Sequence, residues 1–313
     1  MRSPATPLER APAGLADGAG LWLKREDLHP LGAFKWRGAE PVVAGLRDAG
    51  ATAVVTASTG NHGAATAWAA GRAGLRAVVF APAGASATKL ERMRELGAEV
   101  RLTGADLDEA KAAAVAFARE SGARFFEDGA EPAQYEAYRA IAAEILEQSP
   151  APPGAVIAPL GNGALAAGVG LELADAAPAT RLVVAVAEAA PVMALSLAAG
   201  GPVRSRRCET FADGLAVRVA VPIAVETLRP LVDDVVMVSE REIAAGVGAY
   251  AAAGIRAEGA AGAALAALGR VRAEGPVVVI VSGANIDEEL HRRAVRRPRS
   301  FPGPAPPAAL SAS

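Results

Sequence analysis

Cysteine occurs once in the chain, at Cys208. A single thiol excludes an intrachain disulfide framework and a thiolate-rich metal site, and it fits a reducing compartment, so the protein is expected in the cytoplasm. An excess of one charge is also missing: 32 Lys and Arg stand against 34 Asp and Glu, a net charge of −2 with both signs interspersed. That balance leaves no electrostatic footprint for nucleic acid or for a membrane surface. No stretch of the sequence reaches the roughly 20 uninterrupted apolar residues of a membrane span. The N-terminal MRSPATPLERAPAGLADG has no continuous apolar segment of the kind an export signal carries. The expected partner is a small molecule.

What the chain does have is apolar mass, 52% of its 313 residues, enough for a full core in one large domain or two smaller ones. Short apolar runs alternate with Ala-rich amphipathic stretches. The runs are AVVTA at 53–57, AVVFA at 77–81, AEVRL at 98–102, AVIAP at 155–159, LVVAVAE at 182–188 and VVVIVSG at 277–283. Fully apolar strands separated by helices indicate a parallel sheet covered on both faces, an α/β fold. Helical spacing is expected over 62–73, 86–96, 105–121, 133–148, 164–174, 240–253 and 260–274. No short-period repeat is present, and no separate regulatory module is expected after the last strand. From 297 onward RPRSFPGPAPPAALSAS is rich in Pro and small residues and reads as a disordered tail.

In such sheets ligands sit beyond the carboxyl ends of the strands, so the loops that follow strands are where chemistry is expected. Three stand out. After AVVTA come Ser58, Thr59, Gly60, Asn61, His62 and Gly63, with hydroxyls, an amide and free N–H groups at a helix start, suited to a carboxylate. After AVIAP come Leu160, Gly161, Asn162, Gly163 and Ala164, where small residues let N–H groups close around a phosphate. That turn lacks the dinucleotide glycine spacing and a Walker lysine. After VVVIV come Ser282, Gly283, Ala284 and Asn285, where a hydroxyl can hydrogen-bond a heteroaromatic nitrogen. Each loop also has a plain reading, as an N-cap, a glycine turn and a helix cap respectively.

Lysine is scarce, with only Lys24, Lys35, Lys89 and Lys111. Lys89 and Lys111 fall in amphipathic helical patterns and are expected to face solvent. Lys24 lies in the strand-like LWLKRED. Lys35 falls in GAFKWRGA, read as a loop between Gly32 and Gly38 with the aromatics Phe34 and Trp36 on either side. Desolvation there favours the free amine that Schiff-base chemistry needs. The alternative is a structural lysine paired with Glu26 or Asp27.

In order along residues 4 to 290 the chain carries TPL at 6–8, LWLKREDLHPLGAFKWRGA at 21–39, TASTGNHGAA at 56–65, APLGNGALAAG at 158–168, FADGLAV at 211–217 and VSGANID at 281–287. Together these resemble the tryptophan synthase β-like family of pyridoxal-phosphate enzymes, fold type II, and within it the threonine/serine dehydratase and serine racemase branch. The resemblance implies two parallel-rich α/β domains with pyridoxal 5'-phosphate between them. It implies a large cofactor-binding domain over 1–46 and 135–296, a small mobile domain over 47–134, and a homodimer. It further implies that Lys35 holds the cofactor as an imine and acts as base, that Phe34 packs near it, and that Asn61 bonds its ring hydroxyl. Ser58, Thr59, Asn61 and His62 would line the substrate carboxylate, with Asp213 and Gly214 in a loop facing the substrate. Gly161, Asn162, Gly163 and Ala164 would hold the phosphate, Ser282 would face the pyridine nitrogen, and Glu258 would lie near the cofactor. The implied reaction is β-elimination from a small hydroxy amino acid, giving a keto acid and ammonia. Racemisation and β-replacement on the same fold, and a non-catalytic cofactor-binding protein, are the alternatives.

The chain departs from that pattern at several points. Thr59 stands where racemases of the branch carry the serine that serves as second base. The phosphate loop of relatives is usually all glycine, whereas Asn162 and Ala164 stand here. Glu188 matches one ligand of a divalent cation found in some relatives, but Ala194 stands where an aspartate is expected, one oxygen ligand fewer for a hard cation.

Overall fold

The computed structural model describes residues 5–15, 20–206 and 208–304. The chain begins with β1 (Leu8–Arg10), β2 (Leu21–Arg25), α1 (Trp36–Asp48), β3 (Ala53–Ala57), α2 (Asn61–Ala73), β4 (Arg76–Ala81) and α3 (Ala87–Glu95). It continues through β5 (Glu99–Leu102), α4 (Leu107–Ser121), β6 (Arg124–Phe125), α5 (Pro132–Gln148), β7 (Ala155–Pro159), α6 (Ala164–Ala176) and β8 (Arg181–Ala187). It closes with α7 (Val192–Ala199), α8 (Pro222–Leu228), β9 (Asp234–Val238), α9 (Glu240–Ala252), α10 (Gly259–Ala267), β10 (Val277–Val281) and α11 (Glu288–Arg296).

Two compact units result, one of Met1–Gly32 with Tyr138–Ser313 and one of Ala33–Ala137. The first is built on a sheet ordered β1-β2-β10-β7-β8-β9, with β1 antiparallel to β2 and the other pairs parallel. Its central strands are buried on both faces, which is why Ile157, Val183 and Val279 could be read as uninterrupted apolar runs. The second unit is a parallel sheet ordered β5-β4-β3-β6. Val55, Val78 and Phe80 of that sheet pack on Ala110, Ala114 and Ala118 of α4, while α2 packs on β3 and β4, with α1 against α2.

Three expectations need correction. The division falls after Gly32 and Ala137 rather than after 46 and 134, because α1 packs on α2 and belongs with the smaller unit. Lys35 does stand in a turn, at the N-cap position of α1, but the loop expected to run on to Gly38 ends there and Gly38 lies inside the helix. The tail expected from 297 is structured through 304. Phe301 is buried against Ala244, Val247 and Ala294, its ring lies 4.6 Å from that of Phe211, and Arg241 N donates to Pro302 O at 2.8 Å. The remaining residues, 305–313, lie outside the described ones.

Small residues set the closest helix contact. A Cβ on Gly246 of α9 would stand 2.2 Å from the Gly262 carbonyl oxygen of α10, and backbone cannot yield that much. Gly45, exposed in α1, has nothing within 4 Å of its would-be Cβ. Gly246→Ala is therefore expected to cost about 2 kcal/mol or more from overpacking. Gly45→Ala should add up to about 1 kcal/mol by removing backbone entropy from the unfolded chain. Guanidinium unfolding of the two variants against wild type measures both signs.

Candidate active site

In the smaller unit the carboxyl end of β3 opens directly into α2. Ser58 N donates to Phe80 O across the sheet at 3.0 Å, and Gly60 N donates back to the Ser58 hydroxyl at 3.1 Å. This small turn leaves Thr59 and Asn61 half-buried at the helix start, while Ser58 and His62 are buried. The imidazole of His62 turns inward. Its Nε2 lies 2.9 Å from Thr56 Oγ1, its Nδ1 lies 3.4 Å from Asp128 Oδ1, and Phe126 meets it edge-on with centroids 4.6 Å apart. Burial, opposed by Asp128, pushes His62 below the ordinary histidine range.

The Lys35 amine lies in the same unit. It donates to both oxygens of Asp128, at 2.7 and 2.6 Å, and sits 5.1 Å from the Phe34 ring centroid. Burial alone would raise the Asp128 carboxyl. The charge of Lys35, that of His62 when protonated, and hydrogen bonds from Lys35 and Gln134 outweigh it and hold the group well below the carboxylate range. Of these, Lys35 is the largest. Lys24 is excluded as a reactive amine for a structural reason: it is fully buried, ion-paired with Glu144 at 2.6 Å and donating to Thr6 O.

In the larger unit three turns lie against one another. A Cβ on Gly161 would come 2.2 Å from the Gly214 carbonyl oxygen, so the β7–α6 turn packs bare backbone on the turn at Asp213–Leu215. A Cβ on Gly214 would lie 4.0 Å from Glu258 Oε1, and one on Gly283 would lie 2.8 Å from the same carboxylate. The Ser282 hydroxyl, itself buried, donates to Glu258 Oε1 at 3.2 Å. Asn285, at the end of that strand loop, donates to Leu31 O at 2.7 Å and anchors the chain just ahead of Lys35 in sequence. Glu188 follows β8 with Glu240 near enough to raise the latter's carboxyl, after burial as the main cause. Among the described residues no group of three or more His, Cys, Asp and Glu comes together as a metal site.

Each unit carries groups that suit one part of pyridoxal phosphate. In the smaller unit the primary amine of Lys35, just ahead of α1, suits its aldehyde. In the larger unit the N–H groups at the start of α6 suit its phosphate, and the neutral, buried hydroxyl of Ser282 suits a ring nitrogen. Asn162 is the exception. Its side-chain Oδ1 already accepts from Ala164 N at 3.2 Å, one of the N–H groups a phosphate would use. Sequence reasoning also missed Asp128, whose only signal was an acidic pair, Glu127–Asp128, just after a short strand.

Asn162→Gly frees the Ala164 N–H, and a net hydrogen bond of about 1 kcal/mol converts to roughly three- to tenfold. The variant is expected to bind pyridoxal phosphate tighter by about that factor, with binding of pyridoxal unchanged. Fluorescence titration of cofactor-free protein with both ligands measures it, and weaker phosphate-ester binding would make Asn162 a donor instead.

A family model described as pyridoxal-phosphate dependent enzyme matches residues 3–283. An L-threonine ammonia-lyase of Geobacter sulfurreducens is 36% identical over 285 residues, 90% of this chain and 71% of that protein. A putative threonine dehydratase of Sinorhizobium fredii is 35% identical, over 89% of this chain and 86% of that protein. Among solved structures, the processed form of threonine deaminase isoform 2 from Solanum lycopersicum matches with a TM-score of 0.86 at 30% identity, covering 93% of this chain and 87% of that one. Maize serine racemase matches with a TM-score of 0.85 at 28% identity, covering 95% and 93%. The chain belongs to the pyridoxal-phosphate dependent enzyme family, with the α/β fold of its type II members and pyridoxal 5'-phosphate as its cofactor.

Proposed function

We propose that the protein is an ammonia-lyase that eliminates the β-hydroxyl of a small hydroxy amino acid such as L-threonine or L-serine, yielding a 2-keto acid and ammonia. The observation that carries this reading is a primary amine, Lys35, held on a carboxylate in the same unit as the polar β3–α2 turn. The cofactor, when bound, withdraws electron density from the α-carbon and so acidifies its proton. Lys35 holds the cofactor and, once released by the incoming substrate, removes that proton. Phe34 would pack near the cofactor, and Asn61 would hydrogen-bond its ring hydroxyl. Ser58, Thr59 and Asn61, with the N–H groups at the start of α2, orient the substrate carboxylate. His62 supports that turn from below through Thr56. Gly161, Asn162, Gly163 and Ala164 would hold the phosphate, Ser282, with Glu258 beside it, would face the ring nitrogen, and Asp213 and Gly214 would line the substrate side.

Relatives named for threonine support elimination. Racemisation is the second reading, favoured by the likeness to serine racemase. Against it, Thr59 stands at the second-base position, where its methyl crowds a proton path that a serine would leave open. The protein is read as a cytoplasmic homodimer, the compartment supported by its single cysteine. No helix of the described residues is long and apolar enough to cross a membrane.

Purified holoenzyme given L-threonine, L-serine and 3-hydroxyaspartate is expected to release keto acid and ammonia in equal amounts with little D-isomer. D-isomer in excess of keto acid would reverse the order of the two readings. Lys35→Ala should abolish the borohydride-sensitive visible band, and survival of that band would assign the cofactor to another lysine.

A further inference from the structure

Asp128 is supported more fully than a chance partner of a flexible lysine would be. Besides both contacts to Lys35, it has Gln134 Nε2 at 3.3 Å and His62 Nδ1 at 3.4 Å. Gln134 is itself fixed, its Oε1 accepting from Gly129 N at 2.8 Å, and the Tyr135 hydroxyl donates to Gly129 O at 2.6 Å. Behind His62 the Thr56 hydroxyl donates to Phe126 O at 2.8 Å. Thr56, His62 and Gln134 are all buried, so the groups that back the half-buried carboxylate are themselves held in place.

We infer that Asp128 is the positioning residue for Lys35, docking the protonated amine that forms when Lys35 takes the α-proton and keeping the base aimed through turnover. The inference rests on the reading of Lys35 as the cofactor-bearing base. In that step the α-carbon–hydrogen bond breaks, its electron pair stays with the carbon, and a new N–H bond forms at Lys35 Nζ. The electron pair then forms the carbon–carbon double bond as the β-hydroxyl departs. The ammonium returns its proton to that hydroxyl, which leaves as water, and the free amine is restored. A cation created in a largely buried site is costly unless an opposite charge already stands there. Asp128 supplies that charge at 2.6 Å and needs no reorganisation at the moment of transfer. His62, 3.4 Å from the same carboxylate and set against Thr56, helps to orient it.

Asp128→Asn keeps the shape and removes the charge. In the holoenzyme, borohydride trapping at Lys35 should remain near stoichiometric, while kcat for keto acid formation falls by about 30-fold or more and KM changes less than about threefold. Exchange of the α-proton with D2O should fall in parallel with kcat, a split that a merely structural lesion would not produce. A kcat within twofold of wild type, with normal trapping, overturns the inference. Loss of trapping at an unchanged melting temperature also overturns it, because Asp128 would then serve cofactor capture rather than turnover. If borohydride tags a lysine other than Lys35 in the wild type, the underlying reading fails as well, which separates the two failures. Should the Asn variant not fold, Asp128→Ser carries the same measurements with the same deciding outcomes.

Discussion

A parallel strand buried on both faces can offer its backbone ends to chemistry only where it leaves the sheet. Here that constraint places a polar or glycine turn after β3, β7 and β10, each opening into a helix or a tight loop at the carboxyl end of its strand. β7 and β10 are apolar throughout and β3 carries only Thr56, so these strands hold no titratable group inside the sheets. The polar groups that could not be buried there collect at one end of each sheet.

Charge is used sparingly. The smaller unit keeps a half-buried ion pair at its reactive end, Lys35 with Asp128, braced by Gln134. The larger unit keeps a buried pair, Lys24 with Glu144, at the β1–β2 side, where it ties Thr6 and α5 together. Both lysines are withdrawn from water, and what separates their roles is surroundings. Lys24 is wholly enclosed by fixed partners, whereas Lys35 retains 13% side-chain exposure.

Strands with unbroken apolar runs were legible in the sequence almost to the residue, as at Ala53–Ala57, Ala155–Pro159 and Val277 onward, because burial on both faces erases the ambiguity of alternation. The helix α1 was not. Gly38 and Pro41 fall within it, and both residue types ordinarily mark breaks, so local propensity hid a helix that packing on α2 sustains. The end of the chain misled for a similar reason: Pro and Gly dominate it, yet one aromatic, Phe301, finds a buried seat and orders the segment around it. Lys35 and the three turns after β3, β7 and β10 could be singled out from residue type and position. Asp128 could not, since an acidic residue in a polar loop carries no periodic signal and acquires meaning only through the chain that folds Lys35 beside it.

The contact of Gly161 with Gly214 constrains the two turns unequally. A side chain at 161 would run into the Gly214 carbonyl oxygen, whereas one at 214 would point toward Ala260 and Glu258. A loop transplanted from a relative to retune the turn after β7 therefore has to keep glycine at 161 or bring a backbone at 214 that stands aside, while the turn at 214 answers to a different neighbour.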